Sequence, residues 1–153
     1  MEIKYLTKMK NTPKIGRFEN KGISELEIAK LESEFKIKFP QAYKEFLFLG
    51  GKREFILEGW STEAQYLDWI QANIKESMDD VNLKLKPFFV FAEYNNNQCL
   101  FFFLNDGENP PIYGYDEGKI YTNDKGEEVY YKKTKNSFSD CIDNSINHAL
   151  NNK

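Results

Sequence analysis

At 153 residues, with 41% hydrophobic and 29% charged side chains, the chain has the length of one domain and can bury about two-thirds of its unfolded surface. No apolar run reaches the roughly 20 residues of a membrane span. The lysine-dotted start (Lys4, Lys8, Lys10, Lys14) lacks the apolar core of a secretory signal, so a cytoplasmic location is expected. The net charge of −3 divides into +3 over residues 1–60, −8 over 61–130 and +2 over 131–153, so the aromatic-rich middle is acidic, which disfavours direct nucleic-acid binding there.

Residues 1–22 carry scattered apolar positions without periodicity and are read as an N-terminal arm, ahead of a single domain over 23–153. The first patterned stretch begins at Ser24, which with Glu27 has the spacing of a capping box. Ile28, Leu31 and Phe35 then share one helical face. Ile37 and Phe39 alternate with lysines, and Pro40 forces Phe39 out of helical geometry. Pro40 suits the first position of a second helix, whose apolar face is Tyr43, Phe46 and Leu47. Gly50-Gly51 is expected to end that helix through a residue at positive φ.

A short strand is expected over Glu54–Leu57, closed by Gly59, and a third helix from Thr62. Tyr66, Trp69, Ile70 and Ile74 recur there at helical spacing, a stripe that reads as core rather than as a ligand platform. Asp79-Asp80 closes the helix. From Pro87 the pattern changes to strands: Phe88–Tyr94 and Gln98–Leu104 form a hairpin around Asn95-Asn96-Asn97. Their continuous apolarity predicts central strands covered on both faces. Three further strands are expected over 112–116, 119–122 and 127–132, and a closing helix from Ser137 carries Phe138, Cys141, Ile142, Ser145, Ile146, Ala149 and Leu150 on one face. Clustered strands joined by short turns predict an α+β fold: a mostly antiparallel sheet of about five to six strands, with two to three N-terminal helices and a C-terminal helix packed on it.

Catalytic signals are weak. The single histidine, His148, falls at the end of the last helix, and no nucleophile elbow, P-loop, dinucleotide-binding glycine pattern or zinc-ligand spacing occurs. Cys99 and Cys141 read as reduced core thiols, and no cofactor or metal is expected. The carboxylates Asp106, Glu108, Asp116 and Glu117 sit among turn residues, where backbone reasons suffice to explain them.

The run Ile28-x-x-Leu31-Glu32-x-x-Phe35-x-Ile37-x-Phe39-Pro40-x-x-Tyr43-x-x-Phe46-Leu47, followed by Gly50-Gly51, resembles the N-terminal signature of the SUKH superfamily. Phe39 stands where that family usually has Leu. The later strands, a Pro-Ile-Tyr stretch at 111–113 and the Ser-Phe start of the last helix come in the family's order, more loosely. The resemblance implies an α+β domain whose bacterial members bind and neutralise polymorphic toxins, often nucleases or deaminases, in the producing cell. Fungal relatives regulate cell-wall synthesis and signalling, which leaves a regulatory or scaffolding domain with a non-toxin partner as the alternative. It carries over no catalytic residue. An acidic binder is expected to meet its partner through the polar loops and strand ends of the middle region: Asp79, Asp80, Glu93, Asp106, Glu108, Asp116 and Glu117, with Tyr113, Tyr115 or Tyr121 as anchors.

Overall fold

The computed structural model describes the chain apart from residues 16, 17, 53–56, 58, 152 and 153. In chain order the elements are α1 (Thr7–Lys10), β1 (Lys14–Ile15), β2 (Phe18–Glu19), α2 (Glu25–Phe35), α3 (Gln41–Gly50), a 3-10 turn (Ala64–Tyr66) and α4 (Leu67–Asp80). Then come β3 (Phe88–Tyr94), β4 (Gln98–Phe103), β5 (Ile112–Asp116), β6 (Tyr121–Thr122), β7 (Glu128–Val129), β8 (Tyr131–Lys135) and α5 (Phe138–Asn151). This is an α+β domain. The main sheet has four antiparallel strands in the order β3-β4-β5-β8, and β1-β2 and β6-β7 are separate two-stranded hairpins.

The signature stretch folds for reasons visible residue by residue. Ser24 and Glu27 make the reciprocal capping box at the start of α2. The helix stops at Lys36, which adopts φ 58° while its neighbour Ile37 returns an N–H to the Glu32 carbonyl at 3.1 Å. The Glu32 carboxylate accepts the Phe39 N–H at 2.8 Å and faces the Lys44 ammonium at 3.8 Å, fixing the corner between the two helices. Pro40 is the cap preceding α3 rather than its first residue; its ψ of 145° is extended, as the chain must be on entering the helix.

Gly51 differs from expectation as well. Its φ is −63°, so the glycine is needed for room rather than for handedness: a Cβ there would lie 2.7 Å from the Leu47 carbonyl oxygen. The same squeeze occurs at Gly22, where the chain crosses the end of α3 and a Cβ would sit 1.6 Å from the Phe48 carbonyl oxygen.

The core lies between the sheet and helices α2, α3 and α5. Tyr43 is at its centre, its ring 5.0 Å from Phe39, 5.6 Å from Phe89, 5.4 Å from Phe102 and 5.8 Å from Phe138. Aromatic pairs of this kind each add about 0.5–1.5 kcal/mol beyond their buried area. The opposite sheet face carries a second ring cluster, with Phe101, Phe103, Tyr113 and Tyr131 at 4.9–6.1 Å from one another. Cys99 and Cys141 are buried free thiols; burial raises both, Cys141 to about 12.

The N-terminal residues are tied into this body. Leu6 and Met9 are buried, and the fully buried Glu45 of α3 accepts the backbone N–H groups of Lys4, Tyr5 and Leu6 at 3.1, 2.9 and 3.0 Å. The expected strand at 54–57 lies outside the described residues except for Leu57, which is buried.

Two strand expectations are corrected. β3, expected to be central, is an edge strand. Its apolar run persists because other groups cover the edge: the Gln71 amide of α4 donates to the Val90 carbonyl at 2.7 Å and accepts the Val90 N–H at 3.0 Å. The Ser61 backbone bridges that of Glu93, its N–H donating at 2.8 Å and its carbonyl accepting at 3.1 Å. The strand expected over 127–132 divides in two. β7 pairs with β6 in a hairpin arm, and β8 forms the far edge of the main sheet, carrying Lys132, Lys133 and Lys135.

Candidate partner-binding surface

The carboxylates of the acidic middle have distinct duties. Glu93 is 3% exposed, and its side chain accepts the Asn96 N–H, holding the β3–β4 turn in which Asn95 and Asn96 take positive φ. Glu108 caps α3 from a distance: its carboxylate accepts the Gln41 N–H at 2.9 Å and its carbonyl accepts the Ala42 N–H at 2.9 Å. Asp106 faces Lys86 at 3.9 Å, and Asp116 faces Lys119 at 3.3 Å. The acidic run in sequence is therefore not one acidic face. Lys86 from before β3 also lies over the Phe103 ring at 4.5 Å, and β8 adds Lys132, Lys133 and Lys135 at the far edge of the sheet.

Asp79, Asp80 and Glu117 remain. None of the three has an ion-pair partner among the described residues. Asp79 and Asp80 are exposed in the last turn of α4, which contains no basic residue. Negative charge at a helix C-terminus works against the helix dipole by about 0.3–1 kcal/mol per group, so helix stability does not explain these two aspartates. Glu117 follows β5 and lies close by. The Tyr115 hydroxyl, 2.8 Å from Ser77 Oγ of α4, is shifted upward mainly by burial, with Glu117 and Asp80 adding to the shift.

The expected tyrosine anchors divide similarly. Tyr115 is 2% exposed, which corrects its reading as an exposed contact; it locks β5 to α4. Tyr113 is half-buried in the second ring cluster, its hydroxyl pushed up by burial and by nearby Asp106 and Tyr131. Tyr121 is half-buried on the β6-β7 arm, with the Lys132 ammonium 5.1 Å from its ring centroid.

The aromatic stripe of α4 also needs correction. Ile70 and Ile74 are buried, but Tyr66 and Trp69 are 45% and 49% exposed. The helical period explains this. The buried face is Leu67, Ile70, Gln71, Ile74, Ser77 and Met78, and Tyr66, Trp69, Asn73, Glu76 and Asp80 form a neighbouring outward ridge at three- and four-residue steps. Asn73 meets Asn96 of the β3–β4 turn at 3.4 Å, and beside that turn Tyr94, 40% exposed, lies 5.7 Å from the Trp60 ring. Exposed rings at one end of α4 thus run into unpaired carboxylates at the other. Sequence spacing alone placed Tyr66 and Trp69 with the core because it shows the period but not the width of the buried stripe.

Chemically this surface is suited to recognition. Among the described residues, no group of three or more His, Cys, Asp or Glu side chains is placed to hold a metal ion, and no helix is long and apolar enough to cross a membrane. His148 lies in the last turn of α5, on a different helix from the ridge.

No curated protein matches the sequence. The family model described as SMI1 / KNR4 family (SUKH-1) matches residues 22–144, from the glycine squeezed against α3 into the middle of α5. That span takes in the capping box, the Glu32-anchored corner, the Tyr43 ring centre and the whole main sheet, and the chain therefore belongs to the SMI1 / KNR4 family (SUKH-1).

Proposed function

We propose that this protein is a non-catalytic immunity protein that binds a cognate toxin domain, a nuclease or deaminase, in the cytoplasm of the producing cell and blocks its active site. Family membership supports this reading. The observation that carries it is the set of carboxylates that the fold does not use: Asp79 and Asp80 against the α4 dipole, with Glu117 beside them and no ion-pair partner among the described residues. Unpaired surface carboxylates of this kind speed association with a basic enzyme by about 10- to 10³-fold at low salt, in the general range of electrostatic steering.

The test is co-expression with the toxin domain encoded beside this gene, scored by survival. Asp79→Lys/Asp80→Lys/Glu117→Lys is expected to lose protection while its thermal midpoint stays level or rises, because the two aspartate replacements relieve the dipole conflict. Full protection by this variant would remove the assignment of the surface. Absence of any toxin-like neighbour, together with capture of a housekeeping protein, would favour a regulatory or scaffolding role instead.

A further inference from the structure

The exposed rings beside these carboxylates deepen the proposed partner-binding role, and their interpretation rests on that role. We infer that the α4 ridge forms a docking face for an arginine- or lysine-rich segment of the partner, with Tyr66 and Trp69 stacking on its cationic side chains and Asp79, Asp80 and Glu117 neutralising them.

Three observations meet here. Tyr66 and Trp69 are 45% and 49% exposed, although rings of this size are usually more deeply buried in a monomer. One of the chain's two tryptophans, Trp69, stands on this ridge, and tryptophan is common among interface anchors. The ridge also ends in unpaired acid and carries no lysine or arginine among Tyr66, Trp69, Asn73, Glu76 and Asp80. A purely apolar partner would leave those carboxylates facing nothing, and an acidic one would be repelled. A basic segment satisfies both halves, since a guanidinium or ammonium over an aromatic face is attracted by the ring quadrupole. From Tyr66 to Asp80 the ridge spans about 21 Å at the helical rise, room for several residues of an extended partner.

The probe is a fluorescein-labelled nona-arginine peptide, titrated against the intact protein at low salt and followed by anisotropy, with tryptophan emission reporting the site. Binding that perturbs tryptophan emission and falls with added salt is expected. Tyr66→Ala/Trp69→Ala should weaken it about tenfold or more, Tyr66→Phe/Trp69→Phe should retain it, Asp79→Lys/Asp80→Lys should abolish it, and Glu34→Lys on α2 should leave it unchanged.

Binding by Tyr66→Ala/Trp69→Ala within about twofold of the parent would overturn the inference, because the carboxylates alone would then suffice; so would absence of binding by the parent. The survival assay separates this from the wider reading. Peptide binding with these variant effects, in a protein that protects against no toxin, sinks the immunity role and leaves the docking face standing. Protection retained by a ring variant that no longer binds peptide does the reverse.

Discussion

Glu45 offers the sharpest test of how the chain is held together. Its side chain is wholly buried, one carboxylate oxygen accepts three successive backbone N–H groups, and the other accepts the Gln41 amide at 3.2 Å. Replacing it with Ala strands the Leu6 N–H in the interior, which costs about 2–3 kcal/mol for a buried donor that loses a charged acceptor. The Lys4 and Tyr5 N–H groups are only part-buried and can turn to water, at about 0.5–1 kcal/mol each. Loss of the carboxylate's own burial cost offsets some of this, leaving about 3–4 kcal/mol, a large share of the ~5–15 kcal/mol typical of a domain. At about 2–4 °C per kcal/mol the thermal midpoint should fall by roughly 10 °C. Glu45→Gln keeps a carbonyl oxygen for the three N–H groups but loses the charge and sets an NH2 against the Gln41 amide donor, and should lose about half as much. Urea unfolding gives the free energies, and amide exchange at residues 4–6 gives the location. A loss under about 1 kcal/mol for Glu45→Ala, with those amides still protected, would refute the reasoning.

Lys36→Gly should stabilise the protein by about 0.5–1 kcal/mol in urea unfolding, because Lys36 holds a left-handed conformation at φ 58° that glycine adopts without strain; a loss would show that the Lys36 side chain contributes more than its backbone strain costs. Tyr43→Phe should raise stability by about 1 kcal/mol, since the buried hydroxyl has no hydrogen-bond partner among the described residues; destabilisation beyond that size would mean the hydroxyl is satisfied. Asp143→Asn tests a pH dependence. Burial, opposed by Lys8 and reinforced by Asp140, raises the Asp143 carboxyl above its ordinary 3.8, and its Oδ1 is buried without a hydrogen-bond partner among the described residues. The folded state therefore holds this proton more tightly than the unfolded chain, and stability drains away as pH rises through the raised value. The Asn variant should melt higher than the parent at neutral pH, with the gap closing in acid; a constant gap would sink the assignment. Glu108→Lys should lower stability by about 1–2 kcal/mol by removing the acceptor at the start of α3 and placing a cation there. Weakened partner binding by that variant would thus reflect α3, in contrast to Asp79→Lys/Asp80→Lys.

Much of this was legible in the chain because it depended on neighbours in sequence. The capping box at Ser24, the Phe39-Pro40 corner, the asparagine turn, the α5 face and the α+β order all come from local chemistry and hydrophobic period. The family signature is legible for the same reason, since Glu32 reaches Phe39 across one corner and Tyr43 stacks from the next helix. The tertiary structure decided whatever required a distant partner. Glu93 and Glu108 look like surface carboxylates until a turn and a helix end are brought against them. Asp106 and Asp116 look free until a lysine is set opposite. β3 reads as central because its apolar run is the same whether a strand or the Gln71 amide covers its edge. Tyr66 and Trp69 share a helical period with the core but fall just outside the width that the sheet covers. Sequence specifies which residues share a face, and only packing decides how much of that face meets water.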